Sequence, residues 1–366
     1  MFADSMPPVV RRLVLAGAVV LGILAWNTAS ATSQPAGRAT HTGPPHFMLA
    51  APQHRSPHSG SAHRGATLGP HNSCCTPPLI NNKGPVESPA RVYLDFWGPQ
   101  WNAGWPDTAF VACGGGFYNQ CTPVGPDNYS NAAATVENYV TGFFKAVATG
   151  TSPNWNHSQS QYGSKVPPVY GGSFVDAAST PPTPVVTDNC ADVCIVGEPS
   201  TLSQVATEAI AAESHFGYSP NADYMIFLPQ GSFPPNTFAG ACAYHDEVFD
   251  PQGRKISYSV IPYLPDIDKS QALTCGQNYI NTTNDAYGHG FLDGYSIVGG
   301  HEMAEAETDP FPFTAPAWQG SDGSETGDIC AWGTVTTYPA GNVRTSTNFW
   351  VAQSLWSNSA RACVMN

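Results

Sequence analysis

The chain has 366 residues and a formal net charge of −13, from 14 Lys and Arg against 27 Asp and Glu. Charged residues make up 11%, while 42% are apolar and 11% aromatic, a balance that excludes an intrinsically disordered chain. So few cations cannot neutralise a run of phosphates, which excludes a nucleic-acid binder working through a basic surface.

The first elements read as export and processing signals. Arg11 and Arg12 precede the apolar run Leu13–Trp26, and Ala29-Ser30-Ala31 has the small-x-small form of a cleavage site. The run falls short of the roughly 20 residues of a membrane span, so residues 1–31 are expected to be a signal peptide and no stable span is expected after cleavage. Residues 32–88 are rich in Pro, His, Ser, Gly and Ala without periodicity, as in a spacer or a propeptide. His41, His46, His54, His58, His63 and His71 fall here, but their spacing matches no ligand pattern. Only six cations and two acids lie before residue 91, which leaves eight cations against 25 acids in the remainder.

Residues 89–366 are expected to form one globular domain. Eight cysteines lie within it, an even set suited to four disulfides in an exported chain. Neighbour pairing (Cys113–Cys121, Cys190–Cys194, Cys242–Cys275, Cys330–Cys363) is one of 105 possible connectivities.

Along this domain, Val92–Trp97 reads as a strand stopped by Gly98-Pro99. Ala132–Val147 places Val136, Tyr139, Val140, Phe143, Phe144 and Val147 at helical spacing. Thr201 and Gln204 form a capping box for a second helix reaching about His215. Tyr224–Leu228 and Ile256–Tyr263 read as further strands, and Asp293 as the N-cap of a third helix ending near Thr308, before Pro310. Alternating strands and helices predict an α/β or α+β fold, a mixed sheet flanked by helices.

The third helix carries the densest chemistry, His301-Glu302-Met-Ala-Glu305-Ala-Glu307-Thr-Asp309. On a helix, His301 and Glu305 project side by side as two metal ligands must. Glu302 points about 100° away from them. Zinc peptidases use an H-E-x-x-H version of this arrangement, in which the Glu activates water. Glu in place of the second His still ligates zinc through oxygen, but carboxylates also suit calcium. Asp309, Glu325 and Asp328 are candidates for the remaining ligand, the last two on a loop that a bridged Cys330 would pin. The plainer alternative makes Glu302, Glu305 and Glu307 a solvated helix face. Gly299-Gly300 lets another backbone come close just before the motif.

Other candidates are weaker. Ser296 misses a nucleophile elbow by one residue and reads as an ordinary helix residue. His245, in Cys242-Ala-Tyr-His-Asp246, could donate to a transition state but reads first as a surface His on a disulfide-anchored loop. His289 sits on a glycine-flanked loop and could serve as a ligand, Asp246/Glu247 and Asp266/Asp268 are paired acids that could mimic glycosidase carboxylates, and Trp97 with Trp101 could stack on a sugar or end a buried strand.

Five segments carry a resemblance: Tyr93–Trp101, Cys242–Asp246, His301–Pro310, Glu325–Cys330 and Leu355–Cys363. They resemble a family of secreted microbial proteins that is distantly similar to the plant EXORDIUM or phosphate-induced proteins, which share an H-E-x-x-E-x-x-T-[DN]-P segment. The resemblance implies an exported, wall- or matrix-associated protein, with His301, Glu302, Glu305, Asp309, Glu325 and Asp328 in one site. Glu307 stands where an apolar residue is common, and Thr326 where a larger apolar one is; neither removes a ligand.

The expectation is therefore a secreted, zincin-like metal-dependent hydrolase acting on extracellular peptide. Zinc would sit on His301 and Glu305 with Asp328 or Asp309, and Glu302 would be the general base. The alternative is a non-catalytic extracellular protein with structural calcium, or one that binds a cell-wall polymer through its aromatics.

Overall fold

The computed structural model describes residues 46–49, 78–108, 128–181, 204–232, 241–266, 275–276, 290–332 and 340–366. Its centre is a six-stranded mixed sheet. Strand β1 (His46–Leu49) lies at one edge and a two-residue strand β2 (Ile80–Asn81) lies outside the sheet. The apolar β3 (Arg91–Trp97) runs through the interior and leads into the short helix α1 (Gln100–Ala103). The small pair β4 (Asp107–Thr108) and β5 (Asn128–Tyr129) precedes helix α2 (Ala132–Thr149).

Strand β6 (Val169–Asp176) then pairs parallel to β3 on one side. Helix α3 (Gln204–Phe216) leads to β7 (Ala222–Phe227), parallel to β3 on the other side. Strands β8 (Ala241–Phe249) and β9 (Lys255–Ile261) form an antiparallel hairpin, with β9 parallel to β7 and β1 antiparallel to β8. The order is β1-β8-β9-β7-β3-β6. This is the mixed, helix-flanked sheet that the alternation of elements predicts.

Successive strand residues point to opposite faces, which sorts the helices. Tyr93 of β3 and Tyr224 of β7 are in register, and the Tyr93 ring stacks on Phe216 of α3. The neighbouring Asp223 points the other way, toward helix α4 (Asp293–Thr308). Helix α2 lies on that second face too, since Tyr139 Oη is 2.9 Å from Ser296 Oγ of α4. All six apolar positions that the helical spacing marks on α2 are buried, and Asn131 caps it by accepting from Ala134 N–H at 3.1 Å.

All 16 residues of α4 are buried. The helix packs against β8 and β9 of the sheet, α2, the 3-10 segment Trp155–Tyr162, and β12. That last strand belongs to a C-terminal series: β10 (Trp318–Gln319), the hairpin β11 (Ala340–Arg344) and β12 (Phe349–Gln353), then β13 (Leu355–Ser357) with β14 (Ala362–Val364). A helix buried on every side is ordinarily apolar all round. Here it carries His301 and three glutamates, so their burial needs an account.

Several expectations are refined. Leu292 occupies the cap position of α4 and Asp293 is its first residue. What comes closest at Gly300 is the side chains of Phe143 and Trp155, which a β-carbon would meet at 3.1 and 3.0 Å. Residues expected in the N-terminal tail join the body: β1 pairs with β8, and Asn82 and Gly84 donate to Ala317 and Pro316. Cys242–Cys275 and Cys330–Cys363 are bonded as neighbour pairing expects. Cys113, Cys121, Cys190, Cys194, Thr201, Asp268, His289 and residues 1–31 lie outside the described residues. No described helix is long and apolar enough to cross a membrane.

Candidate metal centre

Three pieces of chain bring donors to one place between the sheet and α4. The helix supplies His301, Glu302 and Glu305, and the loop after β10 supplies Glu325 and Asp328. Strand β8 supplies His245, a residue expected on a surface loop. That expectation is overturned: His245 is fully buried, in register with Ser259 of β9, and faces the helix. Its Nδ1 lies 3.5 Å from Glu302 Oε2 and 3.5 Å from Glu305 Oε2, and its Nε2 lies 3.6 Å from Glu325 Oε2.

His301 Nε2 is 3.1 Å from Glu305 Oε1 and 3.7 Å from Asp328 Oδ1. The opposite edge of its ring is also held. His301 Nδ1 is 3.3 Å from Gln353 Oε1, while Gln353 Nε2 donates to the Gly327 carbonyl at 2.9 Å. With its amide nitrogen so engaged, Gln353 presents an acceptor, which fixes the proton of a neutral His301 on Nδ1 and leaves the Nε2 lone pair facing Glu305.

The loop can come this close because position 327 is Gly. A β-carbon there would stand 2.7 Å from His301 Nδ1 and 2.9 Å from Glu305 Oε1. Gly327 and Asp328 N–H both donate to Glu305 Oε1, at 3.2 and 3.0 Å. The Cys330–Cys363 disulfide and the bond from Trp356 N–H to Thr326 O anchor the loop on the C-terminal strands.

His245, His301, Glu302, Glu305, Asp309 and Glu325 are all 0% exposed, whereas the Asp328 side chain is 24% exposed and is the point where the cluster meets solvent. Glu302, Glu305 and Glu307 are therefore not a solvated face. Glu307 leaves the cluster and bonds to Asn156 and Ser164. Asp309, just past the helix end, accepts the Ala317 N–H at 2.6 Å through Oδ1. Ser296 and Trp97 with Trp101 are buried packing residues.

No Lys or Arg falls between residues 301 and 328. Burial opposes charge on His301, but the carboxylates around it, Glu305 foremost, lift its pKa to about 10. His245 is likewise raised well above the imidazole range, burial being outweighed by Glu325, Glu302 and Glu305. Desolvation raises Glu302, raises Glu325 strongly, and brings Asp328 to about 7. Burial pushes Glu305 upward too, yet His301 and His245 together draw it below the usual carboxylate range.

Two further buried acids, Glu87 and Asp223, border the cluster from the N-terminal segment and β7. Burial raises both, Asp223 to about 7. Sequence reasoning singled out neither, because each is a lone acid with no motif around it. His245 did carry a signal: Asp250-Pro-Gln-Gly253 is a turn sequence that makes Ala241–Phe249 and Lys255–Ile261 a hairpin.

Two sets of ligand atoms can each hold a metal ion, His245 with Glu305 and Glu325, and His301 with Glu302 and Glu305. Both Glu302 oxygens and Glu305 Oε2 accept no hydrogen bond among the described residues, and each desolvated carboxylate costs several kcal/mol without a counter-charge. The donor set fits a cation. Asp309 and Asp328 belong to neither set. No family model, curated protein or solved structure matches the chain.

Proposed function

We propose that this is an exported, zinc-dependent hydrolase acting on extracellular peptide. The reading rests on one observation above all: a buried helix presents His301 and Glu305 as ligands and, between them in sequence, a fully buried Glu302 carboxylate whose facing donor is His245 Nδ1 at 3.5 Å. Imidazole donors favour zinc over calcium, which takes oxygen ligands. Zinc held there supplies a Lewis acid that polarises the scissile carbonyl and acidifies water.

The chain's own residues supply the rest. Glu302, kept basic by burial, accepts the proton of the attacking water and returns it to the leaving amine. Gln353 and the Gly327 backbone hold His301 in its ligating tautomer. Substrate would approach from the Asp328 side, the edge of the cluster that reaches solvent. Two disulfides accord with export.

The test is cleavage of a pool of unstructured peptides by the purified chain. Chelator-sensitive cleavage, lost at least 100-fold in Glu302→Gln while the variant stays folded, is the expected result. Zinc bound by the folded chain with no cleavage would overturn it. One observation favours a second reading: the near-complete burial of the donors matches structural metal sites, which are closed. Under that reading the ion secures the fold of a wall- or matrix-associated protein, and cleavage is absent.

A further inference from the structure

The two ligand sets share Glu305 and no other residue. That division is informative. Ligand atoms around a single tetrahedral zinc stand about 3.3 Å apart, given bonds near 2.0 Å. His301 Nε2 and Glu305 Oε1 meet that spacing at 3.1 Å. His245 approaches the other oxygen, with Nδ1 3.5 Å from Glu305 Oε2. The two imidazoles thus address opposite oxygens of one carboxylate, and no set of donors contains both.

Charge points the same way. Glu302, Glu305 and Glu325, the carboxylates of the two sets, carry three negative charges when ionised, and the two histidines are neutral when they ligate. One divalent cation would leave a net negative charge in a site almost closed to water, beside the further buried acids Asp309, Glu87 and Asp223. Glu302 and Glu305 Oε2 are fully buried, accept no hydrogen bond among the described residues and face only His245 Nδ1 at 3.5 Å, so the least satisfied oxygens lie where the two sets meet.

We infer that the centre holds two divalent ions, one on His301 and Glu302, the other on His245 and Glu325, with Glu305 bridging them. This rests on the metal centre of the proposed hydrolase and deepens it, since paired ions can clamp both the attacking and the leaving atom. In this form Glu302 is shared between ligation and proton transfer. Gly327 and Asp328 N–H, both donating to Glu305 Oε1, hold the bridge in place.

The test uses the full chain, stripped with chelator and titrated with zinc, then with Mn²⁺ for electron paramagnetic resonance. Two equivalents of zinc retained after desalting, and an exchange-coupled Mn²⁺ spectrum, are expected. His245→Gln and His301→Gln should each retain one equivalent and lose the coupling. Should either variant fail to fold, the wild-type stoichiometry and spectrum still decide. One equivalent at saturating zinc, with an uncoupled spectrum, would overturn the second ion and leave a one-ion hydrolase standing. Two coupled ions without peptide cleavage would support the paired centre and remove the hydrolase reading instead.

Discussion

His245 Nδ1, on the central sheet, lies 3.5 Å from Glu305 Oε2 on the buried helix α4. That approach ties the two layers of the fold together through a polar contact in a dry interior. An ion pair in such a place adds little to stability by itself, because stripping water from both groups offsets their attraction. The proposed cation would neutralise the surrounding carboxylates and account for the arrangement, and several consequences can be measured.

Gln353 sets the tautomer of His301 through the Nδ1 contact at 3.3 Å. Gln353→Met keeps the volume and removes the acceptor, and zinc affinity should fall by about 10- to 100-fold. Gln353→Glu keeps an acceptor and should lose much less. Competition with a fluorescent zinc chelator reads both; equal losses would assign Gln353 to packing alone.

Gly327→Ala places a methyl group 2.7 Å from His301 Nδ1 and 2.9 Å from Glu305 Oε1. The loop must withdraw, at a cost of about 1–3 kcal/mol in urea unfolding. Zinc affinity should fall as well, since Glu305 loses the two backbone donors that orient it. Wild-type affinity in this variant would contradict the geometry.

Cys330–Cys363 closes a span of 33 residues and pins the loop that carries Glu325 and Asp328. Replacing both cysteines with Ala should lower stability by about 3–4 kcal/mol through unfolded-state entropy. It should also weaken zinc binding, because the loop carboxylates are then no longer held in place. Chemical denaturation of each form with and without zinc separates the two effects.

Without metal, stability should fall as pH rises. Burial lifts Asp309 to about 6, and Asp328 and Asp223 to about 7, so their contributions, full below about pH 4, are lost by about pH 7. His301, lifted to about 10, contributes fully below about pH 6.5 and loses its contribution as pH climbs through 10. Glu305 works in the opposite sense, its contribution being lost only in strong acid. Thermal unfolding in chelator should therefore show a declining Tm from pH 5 to 10. Zinc should raise Tm most at the alkaline end, where the ligands are deprotonated.

Much of the fold is legible in the residues. The helical spacing of Val136 to Val147 identifies the buried face of α2, and the β-rich run before Gly98-Pro99 identifies β3. The helix-borne half of the site is equally plain, since i and i+4 positions on a helix are neighbours whatever surrounds them. His245 is a different case. Its partners lie 57 to 80 residues along the chain, and local chemistry, a His beside two acids, resembles a surface loop. Only the pairing of β8 with β9 turns it inward. Glu87 and Asp223 are buried by tertiary packing for which a single sequence has no local mark.

The most direct test of the central claim, that β8 and α4 jointly build a metal centre, is elemental analysis of the purified full chain after zinc loading and desalting. Zinc should be retained by the wild-type chain and reduced by His245→Ala, a residue outside the helix motif. A cooperatively folded wild-type chain that retains no zinc, or zinc content untouched by His245→Ala, would contradict the account.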